Sequence, residues 1–213
     1  MGTKIAIHVV KIGGSLLTRT DFVPALRRWI NDECTANPAS HLVLLVGGGA
    51  LVDVLRGLDE LRPIDPVLAH WSAIELMEIT GELVHNWIPE WPIERSLQGV
   101  LARCTDPGVT LFLSRNFLRE FEPQVPGPTL PAGWQVTSDS IAARVAEAIG
   151  AERLTLLKSQ RPPQGGWQEL ASLGYVDEHF PLAIASLGKV VAQELLFPAS
   201  PPPPSHPATS GSP

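Results

Sequence analysis

Lys11 stands just ahead of Ile12, Gly13, Gly14 and Ser15, at the end of the apolar, β-branched run Ile7-His8-Val9-Val10. A cation where a strand breaks into glycines has a clear chemical use. Glycines let backbone N–H groups come close to a bound group, and a helix starting there adds its positive dipole end, so the combination makes an anion site. The same residues also describe an ordinary strand-to-helix turn with a solvated lysine, and the motif alone leaves both readings open. Lysines are scarce: of 16 cationic residues only Lys4, Lys11, Lys158 and Lys189 are lysines. A second glycine run, Gly47-Gly48-Gly49, follows the apolar stretch His41 to Val46, and Thr137-Ser138-Asp139-Ser140 opens a later helical pattern. That last group is either a simple helix cap or a carboxylate, Asp139, placed to hold a lysine or a metal-bound nucleotide.

The elements that must position these residues follow from pattern. Residues 4 to 10 predict a first strand, and Phe22 to Asn31 a helix with Asp21 as N-cap and Pro24 in its first turn. A second strand over 41 to 46 runs into its glycines and a helix over 50 to 61. Two strand-glycine-helix units in succession predict parallel strands joined by right-handed crossovers, with ligands beyond the strands' carboxyl ends. A long helix over 67 to 88 carries Trp71, Ile74, Met77, Gly81, Val84 and Trp87 on one face, serving as core or as a subunit interface. Glu75, Glu78, Glu82 and His85 mark another face, which reads as solvated rather than metal-binding. Residues 89 to 108 predict short strands or turns, 109 to 113 a strand, and 123 to 133 a loop that is a lid or a long connection. Then come a helix over 141 to 149, a strand over 153 to 158, a helix reaching about Leu187 and a final strand over 189 to 197.

Composition bounds the function. The chain has 213 residues and a formal charge of -6, so it lacks the basic field that accompanies nucleic-acid binding, and an anionic substrate has to be held locally. Two cysteines make neither a disulfide framework nor a metal cluster; they leave room for a single bridge, and a reducing cytoplasm is the simplest compartment. No signal-peptide pattern and no bilayer-length apolar run are present, so neither targeting nor membrane attachment is expected. Arg27, Arg28, Arg115 and Arg119 are either phosphate holders or solvated helix residues.

The order of K-I-G-G-S after the first strand, G-G-G after the second and W-Q-V-T-S-D-S before a later helix resembles the amino acid kinase superfamily. Within it the likeness is nearest to the branch of methanofuran biosynthesis that phosphorylates an aminomethylfuran phosphate. That likeness rests on His8 to Leu16, Leu68-Ala69-His70, Trp134, and the segment Val176-Asp177-Glu178-His179-Phe180-Pro181. The resemblance implies an α/β fold, a three-layer αβα sandwich with a mainly parallel sheet. It implies one kinase-like domain over 1–197, with an acceptor half to about 130 and a nucleotide half over about 131–197; the proline, serine and small residues over 198–213 predict a disordered proline-rich tail. It further implies ATP and Mg2+, a small phosphate ester or carboxylate as acceptor, and a homo-oligomer.

Carried over residue by residue, Lys11 and Asp139 are catalytic. Gly13, Gly14, Ser15, Thr137, Ser138 and Lys158 bind the nucleotide, and Gly47, Gly48 and Gly49 receive the acceptor. The chain departs from the family pattern in three places. The usual T-D-V-D-G-like run is replaced by Lys158 to Gly166, a second catalytic lysine is replaced by Ala185, and the last strand of the nucleotide half is missing. These departures leave a non-catalytic binding protein on the same fold as the alternative.

Overall fold

The computed structural model of the protein describes residues 4–197. The proline-rich tail over 198–213 lies outside the described residues. Six parallel strands form one sheet in the order β3-β4-β2-β1-β5-β6. They are β1 (Ala6–Ile12), β2 (Ser40–Val46), β3 (Ile93–Glu94), β4 (Gly108–Phe112), β5 (Arg153–Lys158) and β6 (Val190–Glu194). The helices are α1 (Phe22–Ala36), α2 (Gly49–Leu61), α3 (Pro66–Trp87), α4 (Leu97–Arg103), α5 (Ser138–Ala148), α6 (Trp167–Ser172) and α7 (Phe180–Ala183).

A parallel sheet is covered on both faces, so its central strands read as unbroken apolar runs, and every residue of β2 is buried. Alternation along each strand then sorts side chains between two cores. Val10 and Ile12 of β1 and Leu157 of β5 pack with Phe22, Leu26 and Ile30 of α1. Val9 of β1 and Leu154 and Leu156 of β5 pack on the other face with Ile141, Val145 and Ile149 of α5 and its C-cap. By the same parity Lys11 and Lys158 project onto the α5 face. Strand order reverses direction at β1, with β2 on one side and β5 on the other. That is where an open α/β sheet opens a crevice at its carboxyl ends.

Four local expectations give way. After the first glycines the chain makes a 3-10 turn over Gly14–Thr18 rather than an α-helix. Asp21 precedes α1 without a side-chain cap, because its carboxylate pairs with Arg19. Residues 97 to 103 are helix α4, capped by Ser96, whose hydroxyl accepts the Gly99 N–H at 3.0 Å; the surrounding prolines concealed it. The helix expected to reach Leu187 stops at Ala183.

On α3 the stripe residues Ile74, Met77, Gly81 and Val84 are buried in the core. The glutamates opposite form ion pairs, Glu75 with Arg115 and Glu82 with Arg95. Among the described residues no helix is long and apolar enough to cross a membrane.

Candidate active site

The two glycine runs meet above the carboxyl ends of β1 and β2. Gly47 donates its N–H to Ile12 O at 2.9 Å, and Gly13 donates to Leu157 O at 2.8 Å, which ties both loops to the sheet. Gly14 and Gly49 then touch backbone to backbone. A Cβ on Gly14 would lie 2.1 Å from Gly49 N, and one on Gly49, whose φ is +52°, would lie 2.3 Å from Gly14 O. Only glycine allows this nesting. Gly13 therefore departs from its expected part, since its N–H is already spent on the sheet. Free amides remain at the start of α2, where the first helical N–H groups have no intrahelical acceptor and carry the positive end of the dipole.

Asp139 sits in the first turn of α5, 3% exposed, and faces both strand-end lysines. Lys11 Nζ lies 2.9 Å from its Oδ1 and Lys158 Nζ 2.7 Å from its Oδ2. Two ammonium groups on one carboxylate leave a surplus positive charge in a buried setting. Burial alone would raise the Asp139 carboxyl, but the charges and hydrogen bonds of Lys11 and Lys158 outweigh it and hold it below the usual carboxylate range. Lys158 also donates to the Tyr175 carbonyl, and its Nζ lies 4.8 Å from the Tyr175 ring centroid. Burial, reinforced by the Lys11 charge, lowers the Lys158 pKa against the opposing pull of Asp139.

The start of α5 is itself fixed. Thr137 is the N-cap, and Asp177 accepts from the Thr137 N–H and hydroxyl and from the Ser140 N–H and hydroxyl, at 2.5 to 3.0 Å. This explains why the T-S-D-S and V-D-E-H-F-P segments belong together: one supplies four donors and the other the buried carboxylate that takes them. On the outer side of α5, buried Arg144 bonds Glu122 and the carbonyls of Val125 and Pro126. The stretch over 123 to 133 is thus fastened at its start, as a connection rather than a free lid.

A cavity of about 840 Å3 opens over these groups. Lys11, Gly14, Ser15, Gly47, Gly48, Gly49, Thr137, Ser138, Asp139 and Lys158 all border it, so the structure brings nearly every residue singled out in the sequence to one place. Gly13 borders only an adjoining recess of about 150 Å3, which Ser159, Gln160 and Tyr175 also line. Arg27, Arg115 and Arg119 do not line the cavity: they meet Glu90, Glu75 and the Trp71 ring. Arg28 borders a separate groove beside β6. Ala185 is exposed beyond α7. Lys189 precedes β6 at the amino end of the sheet, opposite the site.

Arg56, His70 and Trp134 are among the residues of the cavity wall that escaped the chemical reading of the sequence. Once α2 is known to begin at Gly49, Val52, Asp53 and Arg56 fall on its face toward the site, a spacing the sequence already held. The Arg56 guanidinium carbon lies 4.9 Å from the Trp134 ring centroid, and the Trp134 indole N–H donates to Asp59 Oδ2 at 2.6 Å. Hydrogen bonds from the Ile64 N–H and from Trp134 hold Asp59 below the usual carboxylate range. Burial lowers His70, whose Nδ1 accepts the Gly133 N–H at 3.4 Å.

Cations, amides and a helix start converge here with no room for side chains at the glycines, which fits a bound polyphosphate. Asp139 Oδ2 accepts a hydrogen bond from Lys158 and Oδ1 is ion-paired with Lys11, and among the described residues no three His, Cys, Asp or Glu side chains are grouped to hold a metal. A magnesium ion at this place would be carried on the phosphates of its nucleotide.

The sequence model of the amino acid kinase family matches residues 6–161. A curated relative, the 5-(aminomethyl)furan-3-ylmethyl phosphate kinase of Methanocaldococcus jannaschii, is 36% identical over 189 residues, spanning 84% of this chain and 82% of its own length. Among solved structures, UMP kinase from Bacillus anthracis superposes with a TM-score of 0.62 at 12% identity, covering 89% of this chain and 87% of that one. UMP kinase from Ureaplasma parvum gives a TM-score of 0.58 at 15% identity, covering 88% and 89%. At such identities these two structures speak for the fold.

Proposed function

The chain belongs to the amino acid kinase family, and from that premise we propose that it transfers the γ-phosphoryl group of ATP to the phosphate of a small monoester, making a diphosphate. The acceptor class we favour is an aminomethylfuran methyl phosphate, the substrate in the name of the M. jannaschii relative. The observation that carries the reading is the pair of lysines sharing Asp139 at the carboxyl ends of β1 and β5.

An acceptor phosphate oxygen attacks the γ-phosphorus as the bond to the ADP oxygen breaks, and negative charge spreads over the oxygens of the group in flight. The protein's work is to position and to compensate charge. Lys11, beside both glycine loops, meets the transferring group. Lys158, bordering the smaller recess, meets the nucleotide phosphates and does what a lysine at position 185 would otherwise do. Asp139 holds both cations in place and touches neither substrate. Gly14 and Ser15, with Thr137 and Ser138 at the start of α5, receive the nucleotide; Gly48 and Gly49, at the start of α2, receive the acceptor phosphate, with Gly47 shaping that loop. Mg-ATP when bound supplies the phosphoryl group and a metal that screens its charge. In this division residues to about 130 form the acceptor half and those over about 131–197 the nucleotide half.

A non-catalytic protein on this fold loses its main support once Lys158 is seen beside Asp139. We place the reaction in the cytoplasm, where Cys34 and Cys104 remain free thiols, acting on a small molecule and not on nucleic acid. We also propose a homo-oligomer: Leu51, Val54, Leu58 and Leu61 recur every third or fourth residue along α2 and are exposed, an apolar stripe that a second copy would cover.

The test is direct. The purified chain is incubated with Mg-ATP and the furan phosphate, diphosphate product is followed by phosphorus NMR, and the thermal midpoint is read with each ligand. Product, with a midpoint shift by Mg-ATP that Lys11→Ala removes, supports the kinase. No product and no shift at millimolar nucleotide sinks it.

A further inference from the structure

Trp134 is held in a way that a mere connecting residue does not require. Its indole N–H is engaged by Asp59 at 2.6 Å, and Asp59 is itself fixed by the Ile64 N–H at 2.6 Å. One ring face is covered by Arg56, whose guanidinium is set by Asp53 at 3.5 Å. On the chain side, Gly133 has a φ of +152° and donates its N–H to His70. Three elements, the second half of α2, the start of α3 and the strap into α5, therefore fix one half-buried ring at the border of the cavity.

The same cavity is also lined by apolar side chains, Val52 of α2 and Ala73, Ile74 and Met77 of α3, with Val52 and Met77 beside Gly48. From Gly49 at the head of α2 to Asp53 is one helical turn, about 6 Å, comparable with a five-membered ring carrying a methylene on each side. A flat, weakly polar ring whose methylene phosphate rests on Gly48 and Gly49 thus lies in the cavity that Trp134 and these apolar side chains line together. Aromatic rings gain from offset or edge contact beyond the area they bury, and a fixed ring gives that contact without loss of side-chain freedom.

We propose that the uncovered face of Trp134 is the platform that selects ring-bearing phosphate monoesters over open-chain ones, with Arg56 and Asp59 as the residues that position it. This rests on the kinase reading above, whose acceptor it specifies, and Trp134 would make its contact in ground state and transition state alike, changing KM rather than kcat.

The experiment compares two acceptors, the furan methyl phosphate and an aminoalkyl phosphate of matching length, on the wild type, Trp134→Ala and Trp134→Phe. Initial rates and calorimetric binding without nucleotide are measured for each. The proposal expects KM for the furan acceptor to rise about tenfold or more in Trp134→Ala, to be largely restored in Trp134→Phe, and to leave KM for Mg-ATP and for the open-chain acceptor unmoved. If the wild type phosphorylates both acceptors but Trp134→Ala changes them equally or not at all, the platform is wrong and the kinase stands. If the wild type phosphorylates neither, the kinase reading fails, and calorimetry decides the platform: furan phosphate binding that Trp134→Ala abolishes upholds it, and absence of binding to the wild type overturns it.

Discussion

At the sheet end of the cavity Lys11 and Asp139 are 6% and 3% exposed and ion-paired at 2.9 Å; at the outer end the Arg56 and Asp53 side chains are 40% and 71% exposed and sit 3.5 Å apart. Both ends pair opposite charges, yet the physics differs. A pair open to water contributes about 0–1 kcal/mol. A buried pair has been stripped of water, so removing one partner costs about 3–5 kcal/mol, because the other is left as an uncompensated charge. The first arrangement suits groups that must meet every substrate in one geometry; the second adds little stability, so the residues of that wall are open to substitution as the acceptor demands.

The sharpest way to break this contrast is Asp139→Ala, which leaves Lys11 and Lys158 facing each other without their shared carboxylate. We expect activity to fall by about three orders of magnitude or more and stability to drop by about 3–5 kcal/mol in urea unfolding. A variant as stable as the wild type would show that the triad is not the buried unit described. Lys11→Met comes next: the carboxylate keeps Lys158, and kcat should fall about 10²–10³-fold with KM for the acceptor nearly unchanged. An unchanged kcat would remove Lys11 from the chemistry.

Gly49→Ala is smaller in activity and informative in stability. It puts a Cβ against Gly14 O at a φ of +52°, so a loss of about 2 kcal/mol or more is expected, seen as a lower melting midpoint. Equal stability would mean that the loops do not nest.

The pH dependence of kcat tests the part of Lys158. Since burial lowers the Lys158 pKa, its proton leaves at a lower pH than that of a surface lysine, and kcat should fall on the alkaline side earlier than for an ordinary ammonium. Lys158→Arg, whose charge persists, should move that limb upward. Because the unfolded chain holds this proton more tightly than the folded one, the same group makes stability rise with pH between its lowered value and the ordinary one. The smallest effect belongs to the exposed end: Arg56→Gln should raise acceptor KM tenfold or less and leave kcat alone, as steady-state kinetics with varied acceptor would show.

How much of the site was legible depended on whether the sequence spacing alone carried the geometry. Lys11 before its glycines, Gly47 to Gly49 after β2 and Asp139 at the head of α5 were visible because each marks the end of a strand or the start of a helix, where backbone amides and side chains gather. Lys158 was visible as a strand-end lysine, but only the structure shows that its parity with Leu154 and Leu156 turns it to the α5 face. Asp177 showed only as part of a resemblance, since nothing local says that four donors 37 to 40 residues away converge on it. Helix α4 was missed because prolines nearby outweighed the Ser96 cap.

The sequence by itself determined the elements and their polarity: apolar runs that had to be buried strands, glycines that had to turn, and one long amphipathic helix. Those are properties of residues within a few positions of one another, governed by backbone sterics and by side-chain period. The tertiary structure alone decided that Lys11 and Lys158, 147 positions apart, share one carboxylate, that Gly14 and Gly49 touch, and that Arg56 covers Trp134. Each of these depends on strand order and on which helix crosses over which strand, and burial makes them matter, since a charge withdrawn from water must find its partner wherever the fold has placed it.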